Sequence, residues 1–252
     1  MLGAQLYTVR QFTQTLPDIA KTFARVAAIG YTAVQISGFG PVDPGKVAGL
    51  AREHGLTVAA THMPWERFLQ DLDEVIAIHE MWGCKHAAIG GLFGEAYAGL
   101  DGIERFLDEL APVAAALARA GIDFSYHNHA HELSRAGRRT WLGELYARAD
   151  PGLLKAELDV YWLKYGGADP AAWIRRCAGR EPLLHLKDMA AGPDGGRRMA
   201  AVGEGCLDWP AILRAARAGG VEWYLVEQDE CYGRDPFDAL AASFRFLKAM
   251  GF

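Results

Sequence analysis

The sequence predicts an α/β protein folded as a single (β/α)8 TIM barrel over residues 1–252, and three observations carry that prediction. The length of 252 residues matches the roughly 250 of one complete barrel. Short apolar or β-branched runs alternate with longer helical patterns along the whole chain, as parallel βα construction requires. The alternation counts to eight. Ala4–Val9 is the first expected strand, followed by a helix whose apolar residues Ile19, Phe23, Val26 and Ala27 recur at three and four. Gly30 closes it before Ala33–Ser37, and Pro44 stands near the start of the second helix, where a missing N–H costs little. Gly55 precedes Thr57–Thr61, and Gly83 precedes His86–Gly90. Ile103, Phe106, Leu107 and Leu110 form the stripe of the fourth helix, and Gly121 stands before Asp123–His127. Leu154–Leu158 and Leu183–Lys187 follow, with Pro170 and Pro210 at the starts of their helices and a loop expected at Ala191–Arg198. Gly220, Trp223–Glu227 and Pro236 complete the series.

The overall composition narrows the classes of function. A formal charge of −5, without a Lys/Arg-rich run, gives little attraction for phosphate backbones, so no nucleic acid is expected as a partner. Cys84, Cys177, Cys206 and Cys231 are scattered without a CxxC pair and read as free thiols of a reducing compartment. No basic leader and no run of about 18 apolar residues occurs, so a cytoplasmic protein with no membrane partner is expected. The glycine pattern of a dinucleotide fold is absent after the first strand, and Val202-Gly203-Glu204-Gly205 lacks the spacing of a phosphate loop.

A barrel of this kind builds its active site at the carboxyl ends of its strands. Four of the expected strands end in polar clusters: Tyr126-His127-Asn128-His129-Ala130-His131-Glu132, Glu157-Leu158-Asp159, His185-Leu186-Lys187-Asp188 and Glu227-Gln228-Asp229-Glu230. Any one of these residues alone has an ordinary explanation, since Asp159 could cap a loop and Glu227 could pair with a lysine. Jointly, carboxylates and imidazoles that face one point need a cation to offset their desolvation. The expected ligands are Glu132, Asp159, His185 and Glu227, around one divalent metal ion of the Mn2+, Co2+, Mg2+ or Zn2+ type. Glu157, two residues before Asp159, shares its side of the strand but lies deeper and reads as structural.

These segments resemble the xylose-isomerase-like family, which includes sugar phosphate isomerases and epimerases. The resemblance runs nearly end to end through Gln5-Leu6-Tyr7-Thr8-Val9-Arg10, Ile29-Gly30-Tyr31, Tyr126-His127-Asn128-His129 with Glu132, Leu158-Asp159, His185-Leu186-Lys187-Asp188, Val202-Gly203-Glu204-Gly205 with Asp208, and Val226-Glu227-Gln228-Asp229. It implies one metal held by Glu, Asp, His and Glu from strands five to eight, as in the set above. Many relatives carry the first Glu within the fifth strand, about where His127 stands, so His127 or His129 is the alternative to Glu132. Period-two alternation puts both histidines on one side while the strand lasts.

The chemistry expected of such a site is isomerisation or epimerisation of a sugar through an enediolate, with Glu132 and Glu227 as the proton-moving pair and Lys187 beside a developing oxyanion. His62, Trp65, His127, His129 and Glu204 are candidates for substrate contact. The same first step followed by loss of a β-hydroxyl would make the protein an inosose-type or other polyol dehydratase, and a non-catalytic sugar-binding barrel is the third reading. Trp162 and Ala191 stand where ketose 3-epimerases carry a His and an Arg, which weakens that particular assignment. An apurinic endonuclease would need further histidines, and Gly90 and Trp162 occupy positions where some of them would be. Tyr232 and the loop near Trp141 are the candidate contacts of a homo-oligomer.

Overall fold

The computed structural model describes residues 1–193 and 195–252. Eight parallel strands close into one barrel: β1 (Leu2–Gln5), β2 (Ala33–Ile36), β3 (Thr57–His62), β4 (His86–Ile89), β5 (Asp123–His127), β6 (Lys155–Asp159), β7 (Leu183–Leu186) and β8 (Trp223–Val226). Each strand pairs with its sequence neighbours, and β1 closes the ring on β8 with Ala4 opposite Val226. The helices between them are α1 (Leu16–Ile29), α2 (Pro44–Glu53), α3 (Trp65–Gln70), α4 (Leu72–Trp82), α5 (Gly99–Arg119), α6 (Trp141–Arg148), α7 (Val160–Tyr165), α8 (Pro170–Arg176), α9 (Trp209–Gly219) and α10 (Pro236–Ala249).

Local chemistry sets the ends of these elements. Asp43, Asp169, Asp208 and Asp235 each accept a backbone N–H at the start of α2, α8, α9 and α10, and a proline follows each of them in the first turn. Gly30 and Gly220 end α1 and α9 in the left-handed region, which a residue with a Cβ enters only at a cost. The apolar stripe of α1 buries Ile19, Phe23 and Val26, and that of α5 buries Ile103, Phe106 and Leu110. These residues fill the layer between the helices and the outer face of the barrel, so the main core is a ring around the strands. A smaller apolar plug of Ala33, Ala59, Ala60, Leu183 and Leu225 forms a separate cluster among the strands.

Two expectations need correction. The segment expected to extend the first strand to Val9 turns instead into a 3-10 helix, Leu6–Phe12, because the Gln5 side chain accepts the Tyr7 N–H and bends the chain out of the sheet. The loop expected at Ala191–Arg198 is flanked, and overlapped at its two ends, by an antiparallel ribbon, Asp188–Ala191 with Arg197–Ala200. Asp194, within that stretch, lies outside the described residues. The four cysteines are free. No helix among the described residues is long and apolar enough to cross a membrane.

Candidate active site and metal centre

A polar layer crosses the barrel interior beneath its carboxyl end. Gln5 and Gln35 face each other on β1 and β2, and the Gln5 amide donates to Gln35 Oε1 at 2.9 Å. The Gln35 amide in turn donates to Glu157 Oε1 at 2.7 Å, and His185 Nε2 lies 2.7 Å from Gln35 Oε1 and 3.2 Å from Glu157 Oε1. The other Glu157 oxygen lies 2.6 Å from His62 Nε2. Glu157 is therefore wholly buried yet fully engaged, and it orients two imidazoles above it. This gives the deeper carboxylate expected from strand parity a defined role.

The next layer toward the mouth holds the ionisable cluster. Asp159 is the last residue of β6, and Asp159 and His185 are opposite each other in the sheet register. Asp159 also caps α7: its Oδ1 accepts the Trp162 N–H at 2.9 Å, which turns Oδ2 to the site. There Oδ2 lies 3.3 Å from His127 Nε2 and 3.9 Å from His185 Nδ1. Glu227 follows β8 and brings Oε2 to 2.9 Å from His185 Nδ1. Ligand atoms of His127, Asp159, His185 and Glu227 all lie within 4.8 Å of one another, and all four residues are buried. Lys187 Nζ reaches the same group, 3.1 Å from Asp159 Oδ2 and 2.9 Å from Glu227 Oε2, and it also donates to both oxygens of Asp229.

Burial and charge act against each other here. Burial by itself would raise Glu157, Asp159 and Glu227, but the neighbouring cations win. His62 and His185 hold Glu157 well below the usual carboxylate range, and Lys187 with His185 does the same for Glu227. Lys187 and His127 bring Asp159 down to about 2. Burial would likewise lower His185, yet Glu157 and Glu227 raise it to about 10. His127 and His129 lack such partners in sufficient strength, so burial, reinforced by neighbouring positive charge, lowers them to about 4 and about 2. Both are neutral imidazoles near neutral pH. Burial and the adjacent Glu227 raise Asp229 to about 7.

The donor set suits a divalent cation. Nε2 of His185 is held by a carboxylate and an amide oxygen, which leaves Nδ1 facing Asp159 and Glu227; a ligating histidine needs that outer-shell support. His127, neutral in the fold, and His185, which would release its proton to ligate, match with the two carboxylates a divalent metal such as Mn2+, Co2+ or Zn2+. Nδ1 of His127 and of His129 are buried without a hydrogen-bond partner, so each retains a polar atom to offer.

A cavity of about 590 Å³ opens above this floor. Of the expected substrate contacts, His62, Trp65, His127 and His129 line it, together with Lys187 and Glu227. Trp65 is fixed by its indole N–H, which donates to Glu109. Glu132 and Glu204 are placed elsewhere. The chain leaves β5 at His127 and turns, so that Glu132, in a 3-10 turn, folds its carboxylate back to accept from the Tyr126 hydroxyl and the His129 N–H. Its buried oxygens are consumed there, and His127 stands in the four-residue cluster where Glu132 was expected. Glu204 points away to the surface, with Oε2 2.6 Å from Arg234 Nη1.

The Val202–Gly205 motif has a scaffold explanation. Buried Asp188 accepts the N–H groups of Met189, Gly203, Gly205 and Leu207 and the indole N–H of Trp209. A Cβ at Gly205 would lie 2.3 Å from Asp188 Oδ1, and one at Gly203 would meet the Phe246 ring at 2.3 Å. The residues that sequence reasoning did not assign are Gln35, Arg10, Tyr7 and Asp229. Parity signals two of them, since Asp229 lies two residues beyond Glu227 and Gln35 is a polar residue inside an apolar strand.

The family described as xylose isomerase-like TIM barrel matches residues 23–250. A solved sugar phosphate isomerase/epimerase from Parabacteroides distasonis superposes with a TM-score of 0.85 at 24% identity, covering 99% of this chain and 94% of that one. A solved L-ribulose 3-epimerase superposes with a TM-score of 0.74 at 19% identity, covering 98% and 93%. Among curated proteins, an inosose dehydratase of Geobacillus kaustophilus is 23% identical over 201 residues, which are 67% of this chain. The chain spans 61% of that relative's length.

Proposed function

Because the chain belongs to the xylose isomerase-like TIM barrel family, we propose that it is a divalent-metal-dependent isomerase or epimerase of a sugar or sugar phosphate, acting through an enediolate. The observation that carries this reading is the convergence of His127, Asp159, His185 and Glu227 within 4.8 Å on the floor of the cavity. These four would hold the cation, which when bound supplies Lewis-acid stabilisation for the charge of an enediolate.

The remaining chemistry belongs to side chains. A proton leaving the carbon beside a carbonyl needs a base, and Glu227 lies at the cavity floor, ionised by its Lys187 and His185 neighbours. A second group must return the proton on another face. His62 takes that place instead of Glu132: it comes from β3, and Glu157 fixes one ring nitrogen at 2.6 Å, leaving the other to exchange a proton. Lys187 keeps a positive charge beside the oxygens that become anionic. The aromatic faces of Trp65 and Tyr97 and the apolar Met63 and Leu92 exclude water from one side. The same set supports a second reading, dehydration of an inosose-type ketone, favoured by the inosose dehydratase among the relatives. In that case the enediolate expels a β-hydroxyl, and His62 as the acid protonates it.

The test is metal analysis of the purified protein together with deuterium wash-in from heavy water over a panel of keto-sugars and inososes. About one metal per chain and exchange at the carbon beside the carbonyl are expected, with Glu227→Gln reducing exchange at least about 100-fold. Absence of both metal and exchange in the intact protein would leave a non-catalytic sugar-binding barrel.

A further inference from the structure

The cavity is large and lopsided in charge. At about 590 Å³ it sits in the middle of the range of pockets that enclose drug-sized ligands, about 300–1,000 Å³, whereas a single sugar ring belongs at or below the low end. Its lining carries four carboxylates, Glu66, Glu227, Asp229 and Glu230, against two cations, Arg10 and Lys187. Neither cation is free to receive an anion. Lys187 is buried among Asp159, Glu227 and Asp229. Arg10 donates through Nη1 to the carbonyls of Tyr7 and Asp229 and through Nη2 to Glu230. A phosphate entering here would be desolvated beside surplus negative charge with no guanidinium fork to meet it. A cation on the floor would offset the floor carboxylates, Arg10 already offsets Glu230, and Glu66 is left at the rim.

The rim offers aromatic faces. Phe93 is 65% exposed, one of the most exposed large apolar side chains among the described residues, although it lines the cavity. It is braced by edge and tilted contacts to His129 at 5.3 Å and His131 at 5.1 Å. Tyr7, also partly exposed, lines the same cavity with the Arg10 guanidinium 4.3 Å from its ring. An exposed ring held in place at a pocket mouth is a platform for a flat, uncharged group.

Resting on the proposed function, we infer that the substrate is an unphosphorylated sugar ketone carrying a second uncharged ring, with the ketone on the polar floor and the second ring at the Phe93 and Tyr7 rim. An aryl aglycone and a second sugar ring share the chemistry that such faces recognise.

The experiment compares wash-in kinetics for a hexose oxidised to the ketone at C3, the same ketone phosphorylated at its terminal carbon, its phenyl glycoside at the anomeric C1 and its disaccharide with glucose joined through C1, so that all four keep a free ketone, on the metal-loaded enzyme. The inference expects kcat/KM for the phenyl glycoside or the disaccharide to exceed that of the free ketone about tenfold, and the phosphate to fall below it. Whichever extended substrate leads identifies the second ring. In Phe93→Ala the ratio of extended to free substrate should fall to about one. Exchange that is fastest with the phosphate or the free ketone, or a ratio unmoved by Phe93→Ala, overturns the inference and leaves the enediolate reading intact. Exchange with none of the four overturns the enediolate reading. Calorimetric binding of the same four compounds then decides the inference separately, since equal or tighter binding of the phosphate refutes it and tighter binding of an extended neutral compound upholds it.

Discussion

At the carboxyl end of the barrel Glu157, Asp159 and Glu227 are buried against Lys187 and two imidazoles, while at the amino end, just before β7, Glu181 is equally buried with neither oxygen hydrogen-bonded. The first group is held in the charged form by its neighbours. Burial instead pushes Glu181 well above the usual carboxylate range. The histidines diverge in the same way. His185, between two carboxylates, rises to about 10, and His86 at the amino end is lowered chiefly by burial, which outweighs Asp123, 3.9 Å away. One end of the barrel thus keeps charge at a high cost in desolvation, and the other avoids charge. Only the first arrangement presents several carboxylates that are already ionised at neutral pH to a cation.

The largest expected effect comes from breaking the charged end. Lys187→Met leaves Asp159, Glu227 and Asp229 without their common cation, so unfolding in urea without added metal should show a loss of about 3–5 kcal/mol. Added Mn2+ should recover part of it. A loss below about 1 kcal/mol would mean that the ammonium does not compensate these carboxylates.

Glu181→Gln sharpens the contrast from the other end. Below pH 4.5 both folded and unfolded chains hold the Glu181 proton; above it the unfolded chain ionises first. Stability therefore falls with rising pH by about 1.4 kcal/mol per pH unit until the raised folded-state value is passed. The glutamine variant should lack this slope and be the more stable protein at neutral pH. Urea titrations of both proteins across acid and neutral pH measure it, and parallel curves would show that Glu181 is already ionised in the fold.

The smallest effect concerns His86, whose Nδ1 is buried without a hydrogen-bond partner. With a lowered value in the fold, the unfolded chain binds the proton first, and stability falls as pH drops below 6.5. His86→Gln should remove that acid sensitivity, an effect under about 1 kcal/mol, readable as a smaller drop in Tm between neutral and mildly acidic buffer. An unchanged drop would place the acid-sensitive group elsewhere.

Much of this was legible in the sequence. The eight strands follow from alternation of periods, and the expected bounds of the fifth coincide with the observed ones, because Gly121 and the polar run after His127 bracket it. The carboxyl end of the first strand differs from expectation because a side-chain hydrogen bond, the Tyr7 N–H to Gln5, overrides the apolar and β-branched run that follows. Asp159, His185 and Glu227 could be read as one cluster because each lies at or within one residue of a strand end, where alternation still fixes the side. Glu132 could not be placed in this way. It lies five residues past the end of β5, in a turn whose direction depends on Tyr126 and the His129 N–H, so its side chain is set by tertiary contacts that no periodicity reports.

Asp188 gathers five N–H groups from the segment that follows β7, and Gly205 fits against it with no room for a methyl group. A laboratory seeking altered substrate preference should therefore leave residues 201–208 untouched and diversify Phe93 itself, keeping Gly91 and Gly94, whose backbones are left-handed. There the side chain projects into open space, so a library would lose few members to misfolding. Adaptability is concentrated at the Phe93 rim, and the segment anchored on Asp188 is scaffold.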